Sequence, residues 1–169
     1  MKARILRMLA VLLAMLTAAM AQAGQLQQFG ERPEAPEIVL ENLDGEVISL
    51  ADFRGRVVIV NFWATWCPPC RKEMPSMQRA WQELRENDVV MLAVHVGGTS
   101  DQVWEFASEF GLDFPIVIDT TSKVSRSWPM RGLPTTFVID PGGRIAYFAL
   151  GAREWDDPEI LKTVYALKD

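Results

Sequence analysis

The sequence predicts an α/β fold in which parallel strands are followed by an antiparallel pair. Two runs, Val57-Val58-Ile59-Val60-Asn61-Phe62-Trp63 and Val89 to Val96, are almost continuously apolar and β-branched. That is the pattern of strands buried on both faces. Each is followed by a stretch that reads as helix, Arg71 to about Asn87 and then a segment ending near Phe110. Strands joined through helices run parallel. The third observation is Asp140-Pro141-Gly142-Gly143, a turn of hairpin length between Phe137-Val138-Ile139 and Ile145 to Leu150, which makes the last two strands antiparallel.

The remaining elements follow in chain order. Ile38-Val39-Leu40 and Val47-Ile48-Ser49-Leu50 flank Asp44-Gly45, the signature of a hairpin turn. Ser49 to Gly55 is a short turn into the first buried strand. Pro75 lies inside the first helix and is expected to kink it. Gly97-Gly98-Thr99-Ser100 ends the second buried strand, and Ser100 or Asp101 is the expected cap of the next helix. Gly111 stops that helix. Phe114 to Ile118 forms a third strand with Pro115 near its start. Lys123 to Trp128 reads as a short helix. Asp156 or Asp157 caps a final helix with Pro158 in its first turn.

The N-terminus carries an export signal. Lys2, Arg4 and Arg7 precede an uncharged stretch from Met8 to Met20, and Ala21-Gln22-Ala23 matches a small-x-small cleavage site. This is the layout of a secretory signal peptide, and the apolar stretch is short for a membrane span of ~20 residues. An uncleaved membrane anchor is the alternative. The expected organisation is a signal peptide over 1–23, a flexible lead-in over 24–35 and one domain over 36–169. Cleavage after Ala23 leaves 146 of the 169 residues; loss of three cations takes the net charge of −5 to −8. An acidic chain without a basic patch gives no support for nucleic acid as a partner, and none is expected. A chain of this size can bury a core without staples.

Cys67 and Cys70 are the only cysteines. At that spacing they can close a small disulfide ring and reopen it. They stand where a buried strand hands over to a helix N-terminus. Unpaired N–H groups and the helix dipole there favour a thiolate, the species that attacks disulfides. Two cysteines supply half of a structural zinc site, and the single histidine, His95, is distant in sequence. No metal or other cofactor is expected beyond the redox-active pair. An inert structural disulfide is the competing reading, but so short a loop restrains the unfolded chain little. In an oxidising compartment a working pair needs a partner that resets it.

Asn61-Phe62-Trp63-Ala64-Thr65-Trp66-Cys67-Pro68-Pro69-Cys70-Arg71-Lys72-Glu73-Met74-Pro75 resembles the active-site stretch of the exported thioredoxin-like reductases, the TlpA/ResA/CcmG-like (redoxin) family. Gly132-Leu133-Pro134-Thr135-Thr136-Phe137-Val138-Ile139-Asp140 resembles their cis-proline segment. Leu43-Asp44-Gly45 with Ser49 to Gly55 resembles their added N-terminal hairpin. The likeness spans residues 36–168 and implies a thioredoxin fold with that hairpin added. It also implies dithiol–disulfide exchange with client proteins, in an exported, periplasmic protein served by a membrane electron donor. Clients of the family type are apocytochrome c and the copper-site cysteines of an oxidase. The chain is read as a monomer.

The resemblance and the helix position together distribute roles. Cys67 is the expected exposed nucleophile, and Cys70, one turn in, the buried resolving thiol. Thioredoxin's buried aspartate falls at Asn61, so that acid is missing; the family's substitute falls on Glu73. Glu73 is three residues after Cys70, on the same helix face, where it could take the Cys70 proton. A surface glutamate improving the helix N-terminus is the plainer reading. Trp66, Pro68, Leu133 and Pro134 are the expected substrate contacts, with Pro134 cis. Trp63 and Phe62 are assigned to the core, His95 to a structural role and Gly97-Gly98 to a loop.

Other functions of this fold stay open at this point. One is a disulfide-donating oxidant. A second is a thiol peroxidase, which would place its cysteine after a threonine within a Pro-Thr motif that Thr65-Trp66-Cys67 does not reproduce. A third is a copper-binding assembly module, which needs cysteines one residue further apart and a placed histidine.

Overall fold

The computed structural model describes residues 26–168, so the expected signal peptide over 1–23 lies outside the described residues. Eight strands and four α-helices alternate: β1 (Gln27–Gln28), β2 (Val39–Glu41), β3 (Val47–Ser49), β4 (Val57–Trp63), α1 (Pro68–Leu84), β5 (Val89–Val96), α2 (Ser100–Phe110), β6 (Ile116–Asp119), α3 (Lys123–Ser127), β7 (Thr135–Ile139), β8 (Ile145–Leu150) and α4 (Pro158–Tyr165). Six strands form one sheet in the order β1-β8-β7-β4-β5-β6, and β2 and β3 form a separate ribbon. β4, β5 and β6 are parallel, whereas β7, β8 and β1 each run antiparallel to their neighbour. The α/β class, the parallel set and the closing antiparallel pair agree with the sequence reading.

The central strand β4 is buried at all seven positions. Its side chains alternate between two cores, as the period of two requires. Val57, Ile59 and Trp63 face the layer built from Met74, Met77 and Leu84 of α1, Val103 and Phe106 of α2, and Ile160 and Val164 of α4. Val58, Val60 and Phe62 face the other layer, which holds Trp128 after α3 and Ile38, Leu40 and Ile48 of the ribbon. The hairpin therefore covers a sheet face that would otherwise meet water. The fold is a three-layer sandwich with β4 at its middle.

Several local expectations change. The helix after the cysteines starts at Pro68 rather than Arg71 and continues unbroken through Pro75 to Leu84, with a 3₁₀ turn over Arg85–Asn87. Proline in the first turn loses no helical hydrogen bond, because those N–H groups have no intrahelical acceptor. The cap of α2 is Thr99, whose N–H donates to Gln102 Oε1 at 3.3 Å, not Ser100 or Asp101. Asp157, rather than Asp156, caps α4 and accepts from the Glu159 N–H at 2.8 Å.

The lead-in is the larger correction. At Gln27 and Gln28 it is not a loose tail but a two-residue edge strand of the main sheet. Gln27 and Gln28 pair with Phe148 and Tyr147. The Phe29 N–H donates to the Ala146 carbonyl at 2.8 Å, and the Phe29 ring meets Phe148 edge-on at 5.6 Å. Main-chain hydrogen bonds hold polar residues there, so hydrophobic patterning carries no sign of the strand. Phe29→Ala should cost about 1 kcal/mol, the loss expected from a half-buried ring. The urea midpoint measures it; an unchanged midpoint would show that β1 adds no stability.

Candidate active site

The site is assembled where β4 ends. In parallel register β4 and β5 finish together, with Trp63 beside His95. β7 runs the other way and brings its first residues, Thr135 and Thr136, beside Phe62 and Asn61. The Leu133–Pro134 loop thus arrives at the cysteine end of the sheet. Its peptide bond is cis, the isomer implied by the resemblance. Pro134 is buried and its carbonyl accepts the Gly151 N–H at 2.9 Å. Leu133 is half-buried and packs on the core that contains both cysteines.

Cys67 and Cys70 form a disulfide with Cα atoms 5.3 Å apart. Cys67 is the N-cap of α1, in extended conformation, and its carbonyl already accepts the Arg71 N–H at 3.1 Å. Its sulfur receives one backbone donor, the Cys70 N–H, at 3.3 Å. Pro68 and Pro69 have none to offer. The expected exposed nucleophile is nearly covered in this form: Cys67 is 4% accessible and Cys70 is 0%. Trp66, next in chain, is 69% exposed, and Pro68 is exposed beside it. These two form an accessible rim beside a recessed sulfur.

Glu73 is not a surface charge. It is 1% exposed and faces the interior from α1. One carboxylate oxygen accepts from Asn61 Nδ2 of β4 at 2.9 Å. The other accepts from Trp155 Nε1 at 3.0 Å and the Arg153 N–H at 3.2 Å. Burial disfavours the charge and pushes the pKa up from its ordinary 4.5 to about 7; the hydrogen bonds from Trp155, Asn61 and Arg153 and the Arg153 charge pull only partly back. A carboxyl poised near neutrality, one helical turn from Cys70, is suited to take and return a proton.

Asn61 is the residue the sequence reading undervalued. In the sequence it stands only as a missing acid, yet its Nδ2 donates to both Glu73 and Thr136 Oγ1, the latter at 2.8 Å. Its Oδ1 is buried without a partner. The same amide, turned over, would offer that acceptor to a protonated Glu73. A polar residue inside an otherwise apolar strand was the available signal. Ser76 adds a second tie: its hydroxyl accepts the Trp155 N–H at 3.1 Å and shares its proton between the Glu73 carbonyl at 2.8 Å and the Arg153 carbonyl at 3.1 Å. Nothing local in the sequence marks Arg153 or Trp155. Among the described residues no group of three or more His, Cys, Asp or Glu side chains is placed to hold a metal ion.

The raised Glu73 pKa has a sign that can be measured. Between about 4.5 and about 7 the native state holds a proton that the unfolded chain releases. Its contribution is therefore complete below about 4.5 and is lost as pH rises through about 7. The full swing corresponds to about 3 kcal/mol at 1.36 kcal/mol per pH unit. The difference in unfolding free energy between wild type and Glu73→Gln should change in that direction between pH 4.5 and pH 8. Parallel pH profiles for the two proteins would rule out the shift.

Known proteins place the chain. The sequence profile of the AhpC/TSA family matches residues 32–148. The thiol-disulfide oxidoreductase ResA of Bacillus subtilis is 38% identical over 125 residues, 74% of this chain and 70% of that protein. Among solved structures, a chain assigned as the thiol:disulfide interchange protein DsbE of Chlorobium tepidum superposes with a TM-score of 0.75 at 26% identity, covering 86% of this chain and 100% of its own. A secreted thiol-disulfide isomerase of Corynebacterium glutamicum gives 0.71 at 29% identity, over 85% of this chain and 92% of its own. The fold is thus thioredoxin-like, the pair at the start of α1 is a redox disulfide, and the chain belongs to the AhpC/TSA family as a thiol-disulfide oxidoreductase of the ResA/DsbE type.

Proposed function

We propose that this oxidoreductase works as an exported reductase of client disulfides. The observation that carries the direction is the single N–H donor, from Cys70, on the Cys67 sulfur. Strong oxidants of this kind stabilise the first thiolate heavily, which favours the dithiol and makes the disulfide oxidising. Pro68 and Pro69 supply neither N–H nor charge at that sulfur. A modestly stabilised thiolate places the couple on the reducing side.

The reaction follows from the site. The Cys67 thiolate attacks one sulfur of a client disulfide; a mixed disulfide forms and the first client thiolate leaves. Glu73, as carboxylate, accepts the Cys70 proton. The Cys70 thiolate attacks the Cys67 sulfur, closes the internal disulfide and releases the second client thiolate. The client gains two electrons and the pair loses two. Glu73 returns its proton to a product thiolate. Trp66 and Pro68 on one side, and Leu133 with Pro134 on the other, bracket the client segment. Apocytochrome c haem-binding cysteines or the copper-site cysteines of an oxidase subunit are the clients of choice. A membrane electron donor regenerates the dithiol. The basic start, uncharged Met8–Met20 stretch and Ala21-Gln22-Ala23 site support export with cleavage after Ala23.

Equilibration with a dithiothreitol or glutathione buffer tests the direction. A midpoint below about −200 mV is expected, and one near the −120 mV of the strongest oxidant would make the chain a disulfide donor. The order of attack has its own check. Cys70→Ala should accumulate mixed disulfides on Cys67 in cells, whereas Cys67→Ala should accumulate almost none. Equal trapping by both would reverse or abolish the division of roles. The proteins held by Cys70→Ala identify the client.

A further inference from the structure

His95 is the only histidine of the chain, and it is wholly buried at the end of β5. Its ring is gripped on both nitrogens. Nδ1 lies 2.7 Å from the Gly97 carbonyl, which can only accept, so Nδ1 carries the proton. Nε2 is then the lone-pair nitrogen, and it accepts the Thr65 N–H at 3.0 Å. Thr65 and Trp66 are the two residues between the end of the buried segment and Cys67, whose own N–H bonds back to the Ala64 carbonyl at 3.1 Å.

The Gly97-Gly98 turn is shaped around this ring. Gly98 has φ +76°, and a Cβ there would stand 3.0 Å from His95 Cε1 and 3.5 Å from Nδ1. Trp63 meets the ring edge-on at 5.0 Å from the β4 side. The nearby charges are otherwise engaged. Arg71 stacks on Phe106 at 4.8 Å and reaches the Thr65 carbonyl at 3.4 Å. The Asp119 carboxylate, on β6, takes the N–H groups of Val124 and Ser125 at 3.3 and 2.7 Å. Burial lowers the imidazole pKa, with the Gly97 hydrogen bond opposing.

We propose that neutral His95 is a positioning residue for disulfide exchange: through Nε2 it fixes Thr65, and with it the short loop that presents Trp66 and Cys67 to the client. Protonation at Nε2 converts the acceptor into a donor facing the Thr65 N–H. Two donors cannot share that contact, so the Thr65 N–H loses its acceptor and the new Nε2–H turns to the Thr65 hydroxyl, whose Oγ1 lies 3.4 Å away, shifting the loop. Exchange therefore acquires an acid limb set by His95, in addition to any set by the thiols and Glu73. This inference rests on the exchange activity of the pair and not on its reductive direction.

The test uses the intact mature protein and two independent readouts. Because there is one histidine, its ring NMR signals report its titration without ambiguity. The Thr65 amide shift should titrate with the same midpoint, below the ordinary 6.5. The rate at which the dithiol form attacks a chromogenic aromatic disulfide gives the functional profile. His95→Gln keeps an acceptor for Thr65, and it should match wild type near pH 7 yet exceed it once wild-type His95 is protonated. His95→Leu removes the acceptor and should slow attack about tenfold near pH 7, the factor for one orphaned donor, with wild type falling toward it once His95 is protonated. Superposable profiles for wild type and His95→Gln, or a Thr65 amide that ignores the His95 titration, would overturn the proposal. The amide readout decides even if a variant fails to fold, and absence of exchange in wild type at every pH would count against the activity rather than against His95.

Discussion

A carboxyl group taken out of water must either stay neutral or gather enough donors to hold its charge. Glu73 stands between those outcomes. Three N–H groups from Asn61, Arg153 and Trp155 reach it, and burial still prevails. This one group joins the face of α1 that carries Cys70 to β4 and to the loop after β8. Ser76, one turn on, makes the same loop fast from below. The loop in turn reaches the proline segment through the Gly151 N–H and Pro134 carbonyl. The face of α1 that carries Cys70, the Glu73 carboxyl and the Leu133–Pro134 segment are consequently parts of one bonded unit. A change at Glu73 acts on all three.

The two cysteines are served from opposite sides. Cys70 looks inward to the Glu73 cluster. Cys67 is governed by what precedes it: the end of β4, the Ala64–Cys67 turn and the His95–Thr65 bond. The di-proline then withholds two of the donors that a helix N-terminus ordinarily offers. Position supplies the thiolate preference, and Pro68 and Pro69 limit its size. A helix start of general anion-binding character thus offers this sulfur a single main-chain donor.

How much of this was legible beforehand depends on the physics of each part. β4 and β5 could be bounded to the residue, because strands covered on both faces leave continuous apolar runs. The helix start was misplaced by three residues, since Pro68 and Pro69 look like breakers unless the first turn's spare N–H groups are considered. β1 was invisible because main-chain bonding, not side-chain pattern, creates it. The cysteine pair stood out by spacing and context. Glu73 emerged from resemblance and helix register, but its donors lie 12, 80 and 82 residues away and leave no local trace. His95 reads from the sequence as structural alone; its bond to the Thr65 N–H exists because β5 ends beside the turn into α1, a placement that no local pattern encodes.

The account depends most on the protonation of Glu73 in its buried setting. The direct measurement is an NMR pH titration of the Glu73 side-chain carboxyl carbon in the disulfide form, assigned by comparison with Glu73→Gln. The account predicts a midpoint of about 7. A midpoint close to the ordinary 4.5 would mean that the three donors fully compensate burial. Glu73 would then be a permanently charged structural tie, and the proton acceptor for Cys70 would have to be sought elsewhere.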